Sequence, residues 1–508
     1  MKKLIFTLSL LYSLIGISQN YLGVTNSNYA GVLGTDLQPA SFVDGRFRFD
    51  LNLFSMNIGL SQNLGYFDAA AMRDAQGGNG YWWKKSFGDS LIFKSWAKID
   101  SAMLGGFFVN SFDADSDKKL GIYSNIQFDL FNFMFHVNPK VAVGFTAKVR
   151  SVTNIDNIDP KLALLAQVDL ERPELWNLKL EEGLFNINHL SWLEYGLNYS
   201  QVLYDKEAHF LKVGGKVKYL SGLASAYLYS KNFEYNLLNS DTSVYLAGDF
   251  SYGYSNNFDG LTSGDFSSVL KQQSKFGLGL DFGVVYEWRP DWKKYNYSSE
   301  GGKNIWARDQ NKYKARIGFS ILDLGSVKFQ KGGLSKDFSV SANYAFDLRR
   351  FKTVTSVENF DQIIDTLIND ATTNGNLSWK ATEKEYGSFS MRTPTVVSLQ
   401  ADYHIWKWFY INATGILDVV SINRASKVKA PNQFSITPSF DLASFGIHVP
   451  IYVSSISGLR VGAAMRLGPL TVGFTEINSI LATGKAYGSQ FYFGLRLPVL
   501  YETKKKTP

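Results

Sequence analysis

The sequence predicts an all-β fold: an antiparallel transmembrane β-barrel of about 14 strands, in a range of about 12 to 16, with long loops and an N-terminal luminal plug segment. Three observations support this fold class. The chain begins with an export signal, long segments alternate apolar and polar residues, and aromatic residues gather near the ends of those segments.

The composition excludes several classes of protein. The 508 residues include no Cys, 15% are aromatic and only 19% are charged. Intrinsic disorder requires few aromatic residues and a high net charge, and a chain without Cys forms neither disulfides nor thiolate metal sites. The formal net charge of +7 is spread along the chain and forms no basic stripe that could follow a phosphate backbone. We therefore expect no nucleic-acid partner.

The N-terminus has the layout of a secretory signal peptide. Residues 1–3 are Met-Lys-Lys, residues 4–17 are uncharged and mostly apolar, and Gly16 and Ser18 are small. This order of a basic start, an apolar run and small residues is typical of cleavable signals, whereas a membrane anchor needs about 20 apolar residues. We expect cleavage after Ser18 and a mature chain in the cell outer membrane.

Alternation with a period of two predicts the strands. Every odd position from Phe491 to Tyr501 is apolar, whereas the even positions include Gly494 and Arg496. Residues 276–288 repeat the pattern. A soluble β-sandwich also alternates, but these segments often reach about 12 residues, whereas soluble strands centre on about 5–6. Aromatic residues that suit an interfacial girdle lie near strand ends at Tyr204, Trp288, Trp406, Trp408 and Tyr501.

The predicted strands span 46–61, 119–137, 140–153, 190–204, 209–222, 275–289, 312–329, 337–349, 393–405, 408–420, 438–454, 458–467, 470–477 and 488–501. Three tight turns, Asn138-Pro139, Asp205-Lys206 and Gly468-Pro469, are assigned to the periplasmic side. This count also places the long segment 350–392 there, although periplasmic turns should be short. An extra strand within 223–274, with 458–477 as one bulged strand, would remove the conflict.

Three long insertions interrupt the strands, at 62–118, 154–189 and 223–274. Long structured loops are usually functional or disordered. Short helices are expected at 95–108 and 160–170. A helix is clearest at 355–370, where apolar residues recur at helical spacing and Thr355 with Glu358 fits a capping box.

The same alternation assigns charged residues to the lumen. The basic ones are Arg46, Arg48, Lys148, Arg150, Lys212, Lys216, Lys218, Lys312, Lys314, Arg316, Arg349, Arg460, Arg466 and Arg496. The acidic ones are Asp50, Asp129, Glu194, Asp281, Glu287, Asp347, Asp402 and Asp418. Such mixed charges suggest ion-pair networks in a hydrated interior. The alternative interpretation is that such networks brace the barrel and select no solute.

Residues 19–45, before the first strand, are rich in Gly, Asn and Ser and show no sustained alternation. They include a turn formed by Gln38, Pro39, Ala40 and Ser41. This segment resembles the hatch of the long-chain fatty-acid transporter (FadL-type) barrels and of their secretion-associated PorV-type relatives. In those barrels the turn reads Asn-Pro-Ala and the segment folds into the lumen; Gln38 stands here in place of Asn. An ordinary turn before a strand is the simpler alternative.

Other fragments resemble a family of uncharacterised Bacteroidota outer-membrane barrels, a domain of unknown function. They are residues 321–325 with Lys328-Phe329, Asp402-Tyr403, and residues 460–464 running into 467–470. The resulting division is a signal peptide at 1–18, a hatch at 19–45, a barrel at 46–501 and a short basic tail at 502–508.

A search for catalytic or metal-binding motifs finds none. The five His residues have no ligand spacing, and His404 beside Asp402 is best interpreted as a polar lumen residue. Asp113, Asp115 and Asp117 resemble the start of a calcium loop, but the Gly and Glu that such a loop requires are missing. We expect no enzyme activity, no metal and no cofactor.

Two classes of function remain. The first is uptake of a hydrophobic or amphipathic small molecule through a plugged barrel, as the FadL-type resemblance implies. The second is a non-transporting barrel that binds secretion- or surface-associated proteins, as the PorV-type resemblance implies. Loop aromatics would form the ligand or partner site in either case: Trp82, Trp83, Phe87, Trp96, Phe107 and Phe108. A lateral opening with an apolar groove would favour uptake, whereas a sealed, salt-bridged lumen would favour the non-transporting barrel.

Overall fold

In a computed structural model of the protein, strands pair in a continuous antiparallel ring. The structure describes residues 20–68, 70, 108–167, 170–260, 274–298, 304–343, 345–352, 354, 357–373, 377–381, 387–420, 426–477 and 484–501. Within these residues, fourteen wall strands pair in chain order, and β14 pairs with β1 to close the barrel.

The first seven wall strands are β1 (Phe47–Gln62), β2 (Leu120–Asn138), β3 (Val141–Ile158), β4 (Lys179–Lys206), β5 (His209–Asn239), β6 (Ser274–Trp288) and β7 (Ala315–Gln330). The next four are β8 (Ser388–Arg392 with Val396–Trp406), β9 (Phe409–Asp418), β10 (Gln433–Asp441) and β11 (Phe445–His448 with Ile451–Ser454). The last three are β12 (Gly458–Val461 with Ala463–Leu467), β13 (Leu470–Phe474) and β14 (Gly488–Leu500).

The two ends of the barrel differ in their connections. At one end, which we call the turn end, the connections are 139–140, 207–208, 289–314, 407–408, 442–444 and 468–469, and the start of β1 and the end of β14 lie there too. The opposite end, the loop end, carries the connections 63–119, 159–178, 240–273, 331–387, 419–432, 455–457 and 475–487.

A side sheet extends the wall at the loop end. The outer half of β5 pairs with strand Thr242–Tyr254, which pairs with Lys336–Ala342 and Phe346–Asp347, and Leu377–Ala381 follows. Among the described residues, the α-helices are α1 (Pro160–Gln167), α2 (Trp292–Tyr295), α3 (Arg349–Lys352) and α4 (Val357–Thr373). Short 3₁₀ helices span Gly31–Asp36, Pro39–Ser41, Pro173–Leu175 and Asn256–Gly260. Small strands pair as Asn296–Ser298 with Asn304–Trp306, and as Gly65–Asp68 with Phe108–Asn110 and Lys485–Ala486.

The predicted number of strands is confirmed, but two predicted strands were wrong in ways that offset each other. Segment 337–349 belongs to the side sheet and not to the wall; its alternation arises because one face packs beneath α4. Segment 438–454 is a hairpin that turns at 442–444. Buried Arg466 donates to the carbonyl oxygens of Leu442 and Ala443, so this turn forms without Gly or Pro.

These corrections remove the conflict over segment 350–392, because it lies at the loop end. The extra strand considered within 223–274 exists at Thr242–Tyr254, in the side sheet. Predicted helices at 160–170 and 355–370 correspond to α1 and α4, whereas most of 95–108 and of insertion 62–118 lies outside the described residues.

The outer face of the wall is apolar. Leu197, Val217, Phe282, Ile317 and Leu399 each expose more than half of their side chains there. Exposed Tyr204, Trp288, Trp406 and Trp408 lie near strand ends at the turn end, as an interfacial girdle requires. A closed antiparallel barrel with such a belt is an outer-membrane barrel. Among the described residues, no helix is both long and apolar enough to span a membrane.

Candidate functional site: the plugged lumen

Residues 20–46, which we call the plug segment, lie inside the barrel. Tyr21, Val24 and Leu33 pack against Ala464 and Tyr492 of the wall. The Tyr21 hydroxyl donates to the carboxylate of Asp129 on β2. Because its apolar side chains are buried against inward wall residues, the segment occupies the lumen as a folded unit.

The opposite side of the plug segment packs just as closely. Phe42 and Val43 join a buried cluster with Met134, Ala142 and Phe210 of the wall. Leu37 belongs to another cluster, nearer the loop end. These clusters give the segment apolar contacts on several wall strands.

The turn at Gln38 connects the plug segment to the wall between β6 and β8. The Gln38 amide nitrogen donates to the Phe319 carbonyl at 3.1 Å and to the Gln400 side-chain oxygen at 3.0 Å. Its amide oxygen accepts from the Ala40 N–H at 3.2 Å, which caps the 3₁₀ helix Pro39–Ser41. Gln38 therefore caps its own helix while binding the wall.

Wall glycines make room for this turn. A Cβ on Gly214 would lie 2.5 Å from the carbonyl oxygen of Pro39, and one on Gly283 would overlap the Gln38 side chain. A Cβ on Gly144 would lie 2.5 Å from the Phe42 ring. These positions need the absence of a side chain because the plug segment approaches the wall closely, with its backbone at Gly214 and with side chains at Gly144 and Gly283.

Buried ion pairs hold the plug segment at the turn end. Asp44 accepts from Arg289 at 2.6 Å and from Lys312 at 2.7 Å. Arg289 also pairs with Glu287 at 2.6 Å, and its guanidinium lies 3.5 Å from the centre of the Phe210 ring. Burial alone would raise the pKa of Asp44. The positive charges of Lys312 and Arg289 lower it by more than burial raises it, so the pKa lies well below its usual range.

A second ionic layer begins at Asp36, deeper in the lumen. Its carboxylate pairs with Lys148, accepts from Gln127 at 2.8 Å and lies 3.9 Å from Lys216. Burial alone would raise the pKa of Asp36. The positive charges of Lys148 and Lys216 outweigh this effect and lower the pKa to about 2. The carboxylate is therefore ionised and bound at neutral pH.

Asp323 extends this layer across the lumen. It accepts two hydrogen bonds from Arg150, at 2.7 and 2.9 Å, and one from Lys218 at 2.6 Å. Lys218 also pairs with Asp281 at 2.6 Å, and Arg150 pairs with Glu194 at 3.2 Å. Through these contacts, the ionic layer links β3, β4, β5, β6 and β7.

A β-bulge in β7 turns Asp323 into the lumen. The residue has a φ of 55°, and the pairing of β7 with β6 shifts between Ile321 and Leu324. Its N–H donates to Asp281 at 2.7 Å, and its carbonyl accepts from the hydroxyls of Thr393 and Thr395. Strict alternation would place Asp323 on the outer face of β7, so the sequence analysis did not assign this residue to the lumen.

On the loop-end side of the ionic layer, the lumen contains a buried apolar layer. Its members are Tyr123, Val152, Leu190, Trp192, Leu220, Tyr227, Val327, Phe329, Phe389, Met391 and Val428. Aromatic contacts cross it, such as Tyr227 against Phe389 with ring centres 5.2 Å apart. Plug segment, ionic layer and apolar layer thus follow one another from the turn end toward the loop end.

A family model described as a family of unknown function (DUF5723) matches residues 39–475. The chain belongs to this family. The family match begins within the Gln38 turn and ends beyond β13. It includes the bulge at Asp323 and both ionic layers except Asp36.

The chain is also similar to solved structures. One is the Ralstonia pickettii toluene transporter TbuX, with 9% identity, a TM-score of 0.39 and coverage of 96% of this chain and 100% of that one. A Pseudomonas aeruginosa FadL homologue has 10% identity, a TM-score of 0.39 and coverage of 96% and 98%. A mutant of the monoaromatic hydrocarbon channel TodX has 8% identity, a TM-score of 0.36 and coverage of 93% and 95%. No curated protein matches.

Most charged residues that the sequence assigned to the lumen have buried side chains. They are Arg46, Asp50, Asp129, Lys148, Arg150, Glu194, Lys212, Lys216, Lys218, Asp281, Glu287, Lys312, Asp402, Arg466 and Arg496. Arg316 is largely buried and pairs with Asp402 at 3.0 Å. Arg460 is partly buried, 3.4 Å from Glu476. Asp36 and Asp44 were missed because they lie in the plug segment, where alternation gives no signal. Arg289 was also missed, although it continues the inward face of the predicted strand 275–289 and alternation could have found it.

Four predicted lumen positions were wrong. Arg48 is exposed because the pairing of β1 with β14 shifts between Phe47 and Phe49, which turns Phe47 inward. Lys314 lies over the exposed Tyr403 ring. Arg349 and Asp347 pair with each other beside the side sheet, where the wall strand was expected.

Two further predictions concern residues at the loop end. Asp418 is half-buried where β9 ends. Of the predicted aromatic site, Trp82, Trp83, Phe87, Trp96 and Phe107 lie outside the described residues. Phe108 is described and packs against Phe67, with ring centres 5.1 Å apart.

The described residues contain no group of three His, Asp or Glu side chains that could hold a metal ion. His404 lies near the turn at 407–408, where its Nε2 donates to the Lys407 carbonyl oxygen at 2.8 Å and its ring stacks on Tyr410. Asp113, Asp115 and Asp117 lie in a surface loop, where Asp113 accepts from the N–H of Asp115 at 3.0 Å.

Proposed function

We propose that this outer-membrane barrel takes up hydrophobic or amphipathic small molecules, with the plug segment as its gate. The observation that carries the proposal is the apolar layer between the loop end and the ionic layer. Barrel interiors are ordinarily polar. A layer built around Trp192, Phe329 and Phe389 offers an apolar solute a favourable environment inside the wall.

In this proposal the turn end faces the periplasm, because its connections are mostly short. A solute would enter from the loop end, pass the apolar layer and reach the ionic layer and plug segment. Those two barriers must rearrange before release. The signal peptide expected at residues 1–18 would direct export of the chain and would then be cleaved.

The non-transporting barrel remains the second candidate, because a specific observation favours it. Arg150, Asp323 and Lys218 join strands across the lumen, and the plug segment fills the space toward the turn end. Such a sealed, salt-bridged interior braces a barrel without conducting anything. In that case the exposed loop end would bind partner proteins.

Uptake of the uncharged fluorescent probe N-phenyl-1-naphthylamine by cells that express the protein tests the first candidate. We expect uptake above that of empty-vector cells, and loss of the increase in Leu190→Asp, because a carboxylate in the apolar layer repels an apolar solute. Leu190→Met conserves volume and hydrophobicity and is the control. Uptake equal to that of empty-vector cells would contradict the proposal.

Deletion of residues 21–40, with residues 1–20 kept, tests the gate separately. Planar-bilayer conductance should rise sharply, because the segment fills the lumen at the turn end. A deletion variant that keeps heat-modifiable migration on gels but shows unchanged conductance would mean that the segment is not a gate. A rise in conductance without any probe uptake by the native protein would favour the non-transporting barrel.

A further inference from the structure

A second apolar site lies outside the lumen, on the side sheet at the loop end. A cavity of about 300 Å³ opens between the sheet and α4. Leu228, Phe250 and Val340 line it from the sheet, and Phe360 and Ile364 line it from α4. An apolar cavity of about 150 Å³ already binds benzene, so this volume suffices for a larger hydrocarbon.

The cavity is separate from the apolar layer of the lumen. Leu228 lines the cavity, whereas its neighbour Tyr227 belongs to the luminal layer. Successive residues of a strand point to opposite faces of the sheet. A molecule in the cavity is therefore divided from the lumen by the sheet itself.

Two of the described residues that line the cavity, Ser243 and Tyr252, have polar side chains, and both are already engaged. The Ser243 hydroxyl oxygen lies 2.9 Å from the carbonyl oxygens of both Asn236 and Tyr245, so its single proton is donated to one or shared between them. The Tyr252 hydroxyl donates to Asp361 of α4 at 2.9 Å. Nothing in the lining compensates the desolvation of an ionised headgroup, which is costly in an apolar site. The lining thus selects for an uncharged occupant.

Helix α4 covers the cavity and is held by polar contacts at its rim. Lys336 of the side sheet pairs with Asp361 at 2.6 Å and with Asp365 at 2.8 Å. Arg350 pairs with Asp370 at 3.1 Å. Asp365 is solvent-exposed, and Arg350 and Asp370 are partly exposed. Ion pairs this close to solvent contribute only about 0–1 kcal/mol each. Displacement of α4 would therefore open the cavity without breaking any pairing of the wall strands.

We propose that this cavity binds an uncharged hydrocarbon group, of the size of a substituted single aromatic ring or a short alkyl chain, beneath α4. A free hydrocarbon and a lipid acyl chain share this chemistry. Because the site does not open into the lumen, binding is independent of the proposed uptake and of the plug segment.

Calorimetric titration of the full-length protein in lipid nanodiscs tests the site, with toluene as the uncharged probe and benzoate as its charged counterpart. We expect toluene to bind and benzoate not to bind. Val340→Trp and Ile364→Trp fill the cavity from the sheet and from the helix, and each should weaken toluene binding by about tenfold or more. Val109→Trp introduces the same ring at an exposed position and should leave binding unchanged.

Native mass spectrometry distinguishes the two sources. A co-purified lipid that is present in the native protein and lost in both filling variants would identify an acyl chain as the occupant; toluene binding without such a lipid would identify a free hydrocarbon. If neither is seen, or if both correctly folded filling variants bind as the native protein does, the proposal is wrong. The variant that lacks residues 21–40 should still bind, so failure of the gate leaves this result intact.

Discussion

Asp44 of the plug segment and Arg289, just beyond β6, form a fully buried ion pair with a separation of 2.6 Å. The two residues are far apart in sequence; Asp44 belongs to the plug segment, and Arg289 directly follows a wall strand. Arg289 also lies against Phe210, so its position is set by packing as well as by charge. The pair therefore links the folded plug segment to the turn end of the barrel.

Asp44→Ala should release the plug segment at the turn end. The substitution leaves Lys312 without its buried carboxylate partner, and loss of one partner of a buried pair costs about 3–5 kcal/mol. We expect raised bilayer conductance while the barrel keeps its heat-modifiable migration. Asp291→Ala removes an exposed carboxylate nearby and should change nothing. Conductance equal to that of the native protein would show that Asp44 does not hold the plug.

Gly214→Ala should displace the plug segment from the wall side. The new methyl group would lie 2.5 Å from the Pro39 carbonyl oxygen, and overpacking of this kind costs about 1–3 kcal/mol. Bilayer conductance should rise while the wall strands remain paired. Gly415→Ala on β9 meets no atom within 4 Å and is the matched control. Equal conductance in the two variants would contradict the inference that Gly214 makes room for the plug segment.

On acidification, the plug segment should stay docked until the pH falls below the usual pKa range of Asp carboxyl groups. The folded-state pKa values of Asp36 and Asp44 both lie below their unfolded values. Their stabilisation is therefore complete above about pH 4 and is lost as the pH falls through the folded values. Conductance measured during acidification should stay low to about pH 4 and rise only below it. A rise already between about pH 6 and pH 5 would show that neither carboxylate is held as described.

The wall was predictable wherever one side of a strand faces lipid. On β5, buried Lys216 and Lys218 flank Val217, which is 55% exposed. A charge at the lipid midplane costs about 2–4 kcal/mol, so the alternation in such a strand reports its orientation directly. The same argument applies to Asp281 between the exposed Leu280 and Phe282.

Alternation failed where the backbone leaves its regular period. Bulges reverse the faces at Arg48 and Asp323, because one extra residue shifts the pattern by one position. The turn at 442–444 has no Gly or Pro and depends on Arg466 of the neighbouring strand β12, 23 residues from Ala443 in the chain, a contact that local patterns do not contain. The side sheet alternates like a wall strand, since α4 covers its apolar face as lipid would.

The candidate site was predictable in outline and not in its contacts. The turn at Gln38 and Pro39 indicated a luminal segment before β1, and its partners Gly283 and Gln400 are more than 200 residues away in the chain. The acidic residues Asp36 and Asp44 looked like loop residues because only the folded lumen surrounds them with Lys and Arg.

Asp323→Leu should destabilise the barrel without opening it. The substitution leaves Arg150 and Lys218 with fewer buried partners, and loss of one member of a buried ionic group costs about 3–5 kcal/mol. The plug segment still fills the turn end, so conductance should stay low while the temperature of the heat-modifiability transition falls. The double variant Arg150→Met with Asp323→Leu should recover part of the loss, because it removes a buried charge together with its partner. Additive effects of the two substitutions would mean that Arg150 and Asp323 do not act as a pair, and the bidentate contact would then have no energetic role.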